Sequence, residues 1–213
     1  MALSPSQRGA LLDHAQRSNA LIIEDDYDGE FRHGARPLDA LKTLDVQGHV
    51  FYVGTFSKSM FPSLRLGCII APGWAREALV AAKHATDLHG NDVVQSALAA
   101  FISEGDLARH VRRMQREYAR RRSLILAALE GPLSAWLFAL RSEAGLHLAA
   151  QLHDAADSQK VLAAARRHLP GIASIAELFQ ATDAAPGLVF GFGCIEVEKV
   201  AAYLRAFAAA LAR

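Results

Sequence analysis

The stretch Phe51-Tyr52-Val53-Gly54-Thr55-Phe56-Ser57-Lys58-Ser59-Met60-Phe61-Pro62-Ser63-Leu64-Arg65-Leu66-Gly67 organises the chain. It opens as an aromatic and β-branched run, the pattern of a buried strand. The run ends in a turn that presents Thr55, Ser57 and Lys58 together, and Arg65 follows seven residues after the lysine. Hydroxyls and turn N–H groups form an anion nest. Arg65 adds a fork that grips phosphate bidentately. A lysine amine held in a dry pocket condenses with carbonyls. The stretch therefore reads as a place to hold a phosphate and an amine-reactive group.

Two further apolar runs flank this idea. Before it, Leu21-Ile22-Ile23 is a short buried-type strand that ends in Glu24-Asp25-Asp26-Tyr27-Asp28. After it, Leu66-Gly67-Cys68-Ile69-Ile70-Ala71 is a third strand, bounded by Pro72-Gly73. A helix leads into the first strand: Ser4 caps it, Pro5 suits its first turn, and Gln7 completes a capping box. Helix followed by apolar strand is the grammar of a parallel sheet covered on both faces. Residues 29–48 are polar and turn-rich, with Gly29, Gly34, Pro37 and Gly48, and a helical turn is expected near Leu38–Leu44. Long connections between such strands tend to be functional.

From Trp74 the pattern turns helical, over residues 74–87 and then from a cap at Asn91 to Gly105. A long helix follows from about Asp106 to Leu129. It carries Arg109, Arg112, Arg113, Arg116, Arg120, Arg121 and Arg122. Without interleaved aromatics, this basic run reads as a solvated face rather than a nucleic-acid surface. After Gly131-Pro132, Leu137–Leu140 and Leu146–Leu152 read as strands around a turn at Glu143-Ala144-Gly145. Ser158–His168 is a helix, Ile172–Ile175 and Leu188–Phe192 are strands, and residues 196–212 form a last helix. The domain boundary is placed near residue 105: residues 1–105 on one side, and on the other residues 106–213, a bridging helix with a small α+β domain.

Composition narrows the function classes. The chain has 213 residues, 52% hydrophobic, with a formal net charge of +1. That length allows one large or two small domains, and so small a charge argues against a global field for nucleic acid. Cys68 and Cys194 lie in apolar contexts and read as buried, reduced thiols. No metal is assigned, because His84, His89 and His110 lack ligand spacing. His147 reads as a structural strand residue, and Trp74 and Trp136 as packing anchors. No stretch is long and apolar enough to span a bilayer. The N-terminus lacks the basic and apolar regions of a secretory signal, so a cytoplasmic location is the default expectation.

A reactive lysine beside a phosphate site is what pyridoxal 5'-phosphate needs, with its aldehyde at one end and its phosphate anchored at the other. The cofactor also needs an acid at its pyridine nitrogen, and the end of the first strand offers Glu24, Asp25, Asp26 and Asp28. Residues two apart share a face, so Asp25 and Tyr27 pair while Glu24 and Asp26 point away. An acidic cluster after a strand also serves as caps and loop contacts. Beside a lysine turn on a neighbouring strand, it reads as the ring's partner: Asp25 for the pyridinium and Tyr27 for the ring oxygen.

These blocks, Ile22 to Arg32, Tyr52 to Lys58 and Pro62 to Gly67, closely resemble the aminotransferase-like domain of MocR/GabR-type transcriptional regulators. Phe101 to Met114 and Gly145-Leu146-His147-Leu148 are similar to the same family. The resemblance implies a partial fold-type I pyridoxal-phosphate transferase of the α/β class. Residues 1–105 would be the C-terminal part of a mainly parallel, cofactor-binding large domain, and the rest a small α+β domain. It also implies Lys58 as the Schiff-base lysine, Asp25 at the ring nitrogen and Tyr27 at the ring oxygen, with Thr55, Ser57 and Arg65 near the phosphate. The ligand expected is a small amino compound and the assembly a homodimer. DNA would be reached only through a GntR-type winged helix, which nothing in this chain resembles. Met1 falls inside the family pattern, as a fragment or a misassigned start would. The family often has an arginine in its last-strand region to grip a substrate carboxylate. The stretch matched to that region, Ile175-Ala176-Glu177-Leu178-Phe179, has none, and Glu177 would repel a carboxylate. That departure argues against transamination of an ordinary amino acid. A free-standing class I/II aminotransferase and a non-catalytic dimerisation fragment are the alternatives.

Overall fold

Alternation of short apolar strands with amphipathic helices gives two compact units. One takes residues 1–30 and 35–111, the other residues 31–34 and 112–213. The structure, a computed structural model, describes residues 3–33, 39–142, 144–154, 156–179 and 185–212. Gly34, Pro37 and Leu38 of the turn-rich stretch, and Glu143 of the later turn, lie outside the described residues.

In the first unit, α1 (Pro5–Ser18) starts at the expected capping box. Gln7 N–H donates to Ser4 Oγ, and Ser4 N–H donates to the Gln7 side chain. β1 (Ile22–Asp26) is parallel to β2 (Val50–Thr55), with Asp25 opposite Val53 and Asp26 opposite Gly54. The strand thus runs through the acidic residues that the sequence reading placed after it. α2 (Leu41–Leu44) supplies the helical turn expected there. β3 (Gly67–Ile70) returns antiparallel to β2, because the connection between them is too short for a parallel crossover. α3 (Arg76–Asp87) and α4 (Asp92–Ser103) follow.

The expectation of a sheet covered on both faces is corrected here. Val50 is fully buried on one face, but Ile70 on that same face is 54% exposed, and on the other face Ile23 is 73% and Ile69 is 56% exposed. α5 (Asp106–Glu130) is continuous, and the division between the units falls within it.

The second unit holds an antiparallel sheet in the order β4-β5-β7-β6, made of β4 (Leu137–Ala139), β5 (His147–Leu152), β6 (Ala173–Ser174) and β7 (Gly187–Gly191). α6 (Ser158–His168) and α8 (Val197–Leu211) complete a closed apolar core. Leu133, Leu137, Leu148, Phe192 and Phe207 are fully buried in it.

Two expectations fail in this unit. Ile175 does not extend a strand but begins α7 (Ile175–Phe179). Ser174 Oγ accepts the Glu177 N–H while Glu177 accepts the Ser174 N–H, a reciprocal cap that starts a helix. Cys194 is exposed rather than buried, because it lies in the bend after β7. Both cysteines are free.

Candidate functional site

Strand register decides which acidic side chain is available. Along β1, Glu24 and Asp26 turn to one side and are engaged there. Glu24 accepts the N–H groups of Leu41 (2.6 Å) and Lys42 (2.9 Å), which fixes α2. Asp26 accepts the Tyr52 hydroxyl and the Gly29 N–H, each at 2.9 Å. Burial pushes the Tyr52 phenol well above its ordinary pKa, and the hydrogen bond to the Asp26 carboxylate adds to this. Asp25 and Tyr27 face the other side and are exposed. Among the described residues, no hydrogen bond or ion pair engages the Asp25 carboxylate.

The lysine turn leaves the end of β2 beside that face. Lys58 Nζ lies 4.8 Å from the centroid of the Tyr27 ring, so the turn and the end of β1 come together. Thr55 and Ser57 form one cluster: the Thr55 hydroxyl donates to Ser57 Oγ at 3.1 Å, and Ser57 N–H donates to Thr55 Oγ1 at 3.2 Å. Gly67 opposes Thr55, and a Cβ there would sit 2.9 Å from the Gly54 carbonyl oxygen. Only glycine lets the two strands approach this closely beside the turn.

Arg65 closes the short 3-10 turn Pro62–Leu64 with φ of 51°. Few non-glycine residues adopt this left-handed conformation, and such residues concentrate at functional sites. Its side chain is exposed. All six residues singled out from the sequence therefore lie in the first unit, and contacts join Tyr27 to Lys58 and Thr55 to Ser57.

Ser59 escaped the sequence reading. It is 2% exposed, and its Oγ is buried without a partner. Buried polar atoms are almost always satisfied, so this orphan directly after Lys58 awaits an acceptor or donor. Hydroxyls, turn N–H groups, an amine, an arginine and a carboxylate make a donor set suited to a phosphorylated aldehyde with a basic ring nitrogen. Asp26 and Tyr52 were also missed in their present role, which is to hold the strand end rather than touch a ligand.

In the second unit, the last strand is β7, whose sequence Gly187-Leu188-Val189-Phe190-Gly191 contains no arginine. Glu177 is not a bare charge aimed at a ligand. Ser174 N–H and hydroxyl, together with Arg166, hold its carboxyl below the ordinary value despite some desolvation. Trp74 packs edge-on against Phe51 at 5.7 Å and donates to the Gly48 carbonyl. Among the described residues, no cluster of His, Cys, Asp and Glu is arranged for a metal ion, and no helix is long and apolar enough to cross a membrane.

Residues 1–169 match the family described as aminotransferase class I and II. The chain is 36% identical over 186 residues to the probable rhizopine catabolism regulatory protein MocR of Rhizobium meliloti, covering 87% of this chain and 38% of that protein. It is 32% identical over 192 residues to the HTH-type pyridoxine biosynthesis transcriptional regulator PdxR of Corynebacterium glutamicum, covering 90% and 41% respectively. Among solved structures, it superposes on Pyrococcus horikoshii kynurenine aminotransferase, crystallised in complex with PMP. The TM-score is 0.76 and the identity 28%, over 100% of this chain and 52% of that one. The multiple substrate aminotransferase of Thermococcus profundus gives a TM-score of 0.76 and 25% identity, over 100% and 53%. The chain thus spans about two fifths of these regulators and about half of these solved chains.

Proposed function

The chain belongs to the aminotransferase class I and II family, carrying part of the fold-type I domain found in MocR-type regulators, and we propose that its lysine turn holds pyridoxal 5'-phosphate in order to sense an amino compound. The observation that carries this reading is Lys58 Nζ poised over the Tyr27 ring at 4.8 Å. The cofactor, when bound, supplies an aldehyde with which amines condense and a ring that takes up charge.

Each residue has a definite task in this reading. Lys58 Nζ would tether the aldehyde of the cofactor, and a ligand amine would compete with it for that position. The Asp25 carboxylate, exposed and unengaged, holds a proton on the ring nitrogen. The Tyr27 hydroxyl donates to the ring oxygen. Thr55, Ser57 and Arg65 bind the phosphate, with the Ser57 N–H and hydroxyl contributing donors. A winged helix elsewhere in a longer protein would carry the DNA contact, and the working assembly would be a homodimer. The absence of arginine from β7 favours sensing over turnover of an ordinary amino acid.

The test is titration with pyridoxal 5'-phosphate, followed by borohydride reduction and peptide mass analysis. The wild type should develop a visible band and carry the reduced label on Lys58, and primary amines should then alter the band. Lys58→Ala should show neither band nor label. A wild type without either would sink the reading.

A further inference from the structure

We propose that the second unit contains a separate binding site for a small oxyanion, carboxylate or phosphate, in a cleft between Arg32 and Arg122. The cleft, of about 170 Å³, is walled by residues 31–33 and by the face of α5 that carries Gln115, Tyr118, Arg122 and Ser123. Its volume far exceeds the roughly 10–15 Å³ that one water requires.

The two guanidinium groups identify the ligand. Arg32 Nε and Arg122 Nε are both buried without a hydrogen-bond partner. Arginine stays charged in proteins, and buried donors without acceptors are rare and costly. Among the described residues, no carboxylate lines the cleft. Arg122 donates a terminal N–H to the Ser142 carbonyl at 3.1 Å, and that neutral acceptor leaves its charge uncompensated. Glu117, one turn away on α5, is engaged with Arg121 at 3.1 Å. A small oxyanion in the cleft would compensate both guanidinium charges at once.

The walls are pre-set. Gly145 N–H donates to the Phe31 carbonyl at 2.9 Å, Arg32 bridges Ala144, and His33 Nε2 lies 2.8 Å from the Gly145 carbonyl. Phe31 and Tyr118 pack edge to face at 5.0 Å. Burial raises the Tyr118 phenol more than Arg121 lowers it. The site shares no residue with the lysine turn and does not depend on the reading given to that turn.

Isothermal titration with inorganic phosphate and with succinate, at ionic strength fixed by chloride, tests the site. At least one should bind saturably, and that site should remain in Arg65→Gln, which removes the phosphate grip proposed for the lysine turn. A preference for phosphate assigns a phosphoryl ligand; a preference for succinate assigns a carboxylate. Arg32→Gln and Arg122→Gln should each weaken binding by about ten-fold or more. Ala119→Trp fills the cleft from its exposed rim, leaves both arginines in place and should abolish binding even if the arginine variants misfold. Absence of saturable binding, or binding unchanged in Ala119→Trp, overturns the proposal.

Discussion

At the end of β1, two adjacent aspartates meet opposite surroundings. Asp26 accepts the Tyr52 phenol and the Gly29 N–H, whereas Asp25 is exposed on the other face with no partner among the described residues. Asp26→Asn should therefore destabilise the chain by about 1–2 kcal/mol, the worth of bonds to a charged acceptor replaced by weaker ones. Asp25→Asn should stay within about 0.5 kcal/mol of the parent, as surface changes do. Urea unfolding of the two variants checks this contrast. If Asp25 meets the ring nitrogen, only Asp25→Asn should change the visible spectrum while leaving the label on Lys58. That Asp25 and Tyr27 share a face apart from Glu24 and Asp26 was legible in the sequence, because strand periodicity alone separates the two faces. Ser59 was not legible: its buried, unpartnered hydroxyl depends on how the turn folds back, which no local pattern encodes.

Elements were readable where the signal was local. The Ser4–Gln7 box marked the start of α1, and the apolar run marked β2. The apolar signal for β1 stops at Ile23, because acidic residues disfavour strands in isolation. The last three residues of the strand are held extended by pairing with β2 and by partners from α2 and Tyr52, which is a tertiary effect. The five-residue α7 was missed although Ser174-Ile175-Ala176-Glu177 spells a capping box. Ser174→Ala should cost about 1 kcal/mol in chemical denaturation.

The loop entering β2 depends on a carboxylate. Asp45 accepts the N–H groups of Gly48 (2.9 Å), His49 (3.0 Å) and Val50 (2.8 Å), and pairs with Lys42 at 3.0 Å. Burial opposes its charge, but these bonds win and hold its pKa at about 2. A depressed folded-state pKa gives stability that is present above the unfolded value, near 3.9, and is lost as pH falls through the folded value. Unfolding free energy should therefore decline between about pH 4 and pH 2, and Asp45→Asn should flatten that part of the profile while lowering stability at neutral pH.

At the scale of the whole molecule, the two units differ in how completely they bury their apolar surface. In the second, both helices α6 and α8 contribute buried residues to a closed core. In the first, α3 and α4 contribute none, and Val93 (80%), Leu88 (68%), Val80 (63%) and the Ile23–Ile69 face of the sheet are exposed. Sequence patterning showed that these segments were apolar on one side. It could not show whether the chain itself supplies the cover, because amphipathicity specifies a face and not its partner. Exposed apolar surface of this extent marks an interaction surface or an association hazard. The chain is therefore expected to self-associate through the first unit, and the apolar helix α4 is the place to break that association. Val93→Lys puts a charge on an already exposed position, so it should leave folding intact while shifting light-scattering mass toward monomer and reducing binding of an apolar dye. A wild type that remains monomeric and dye-free at high concentration would show that this surface is inert and does not carry a homodimer.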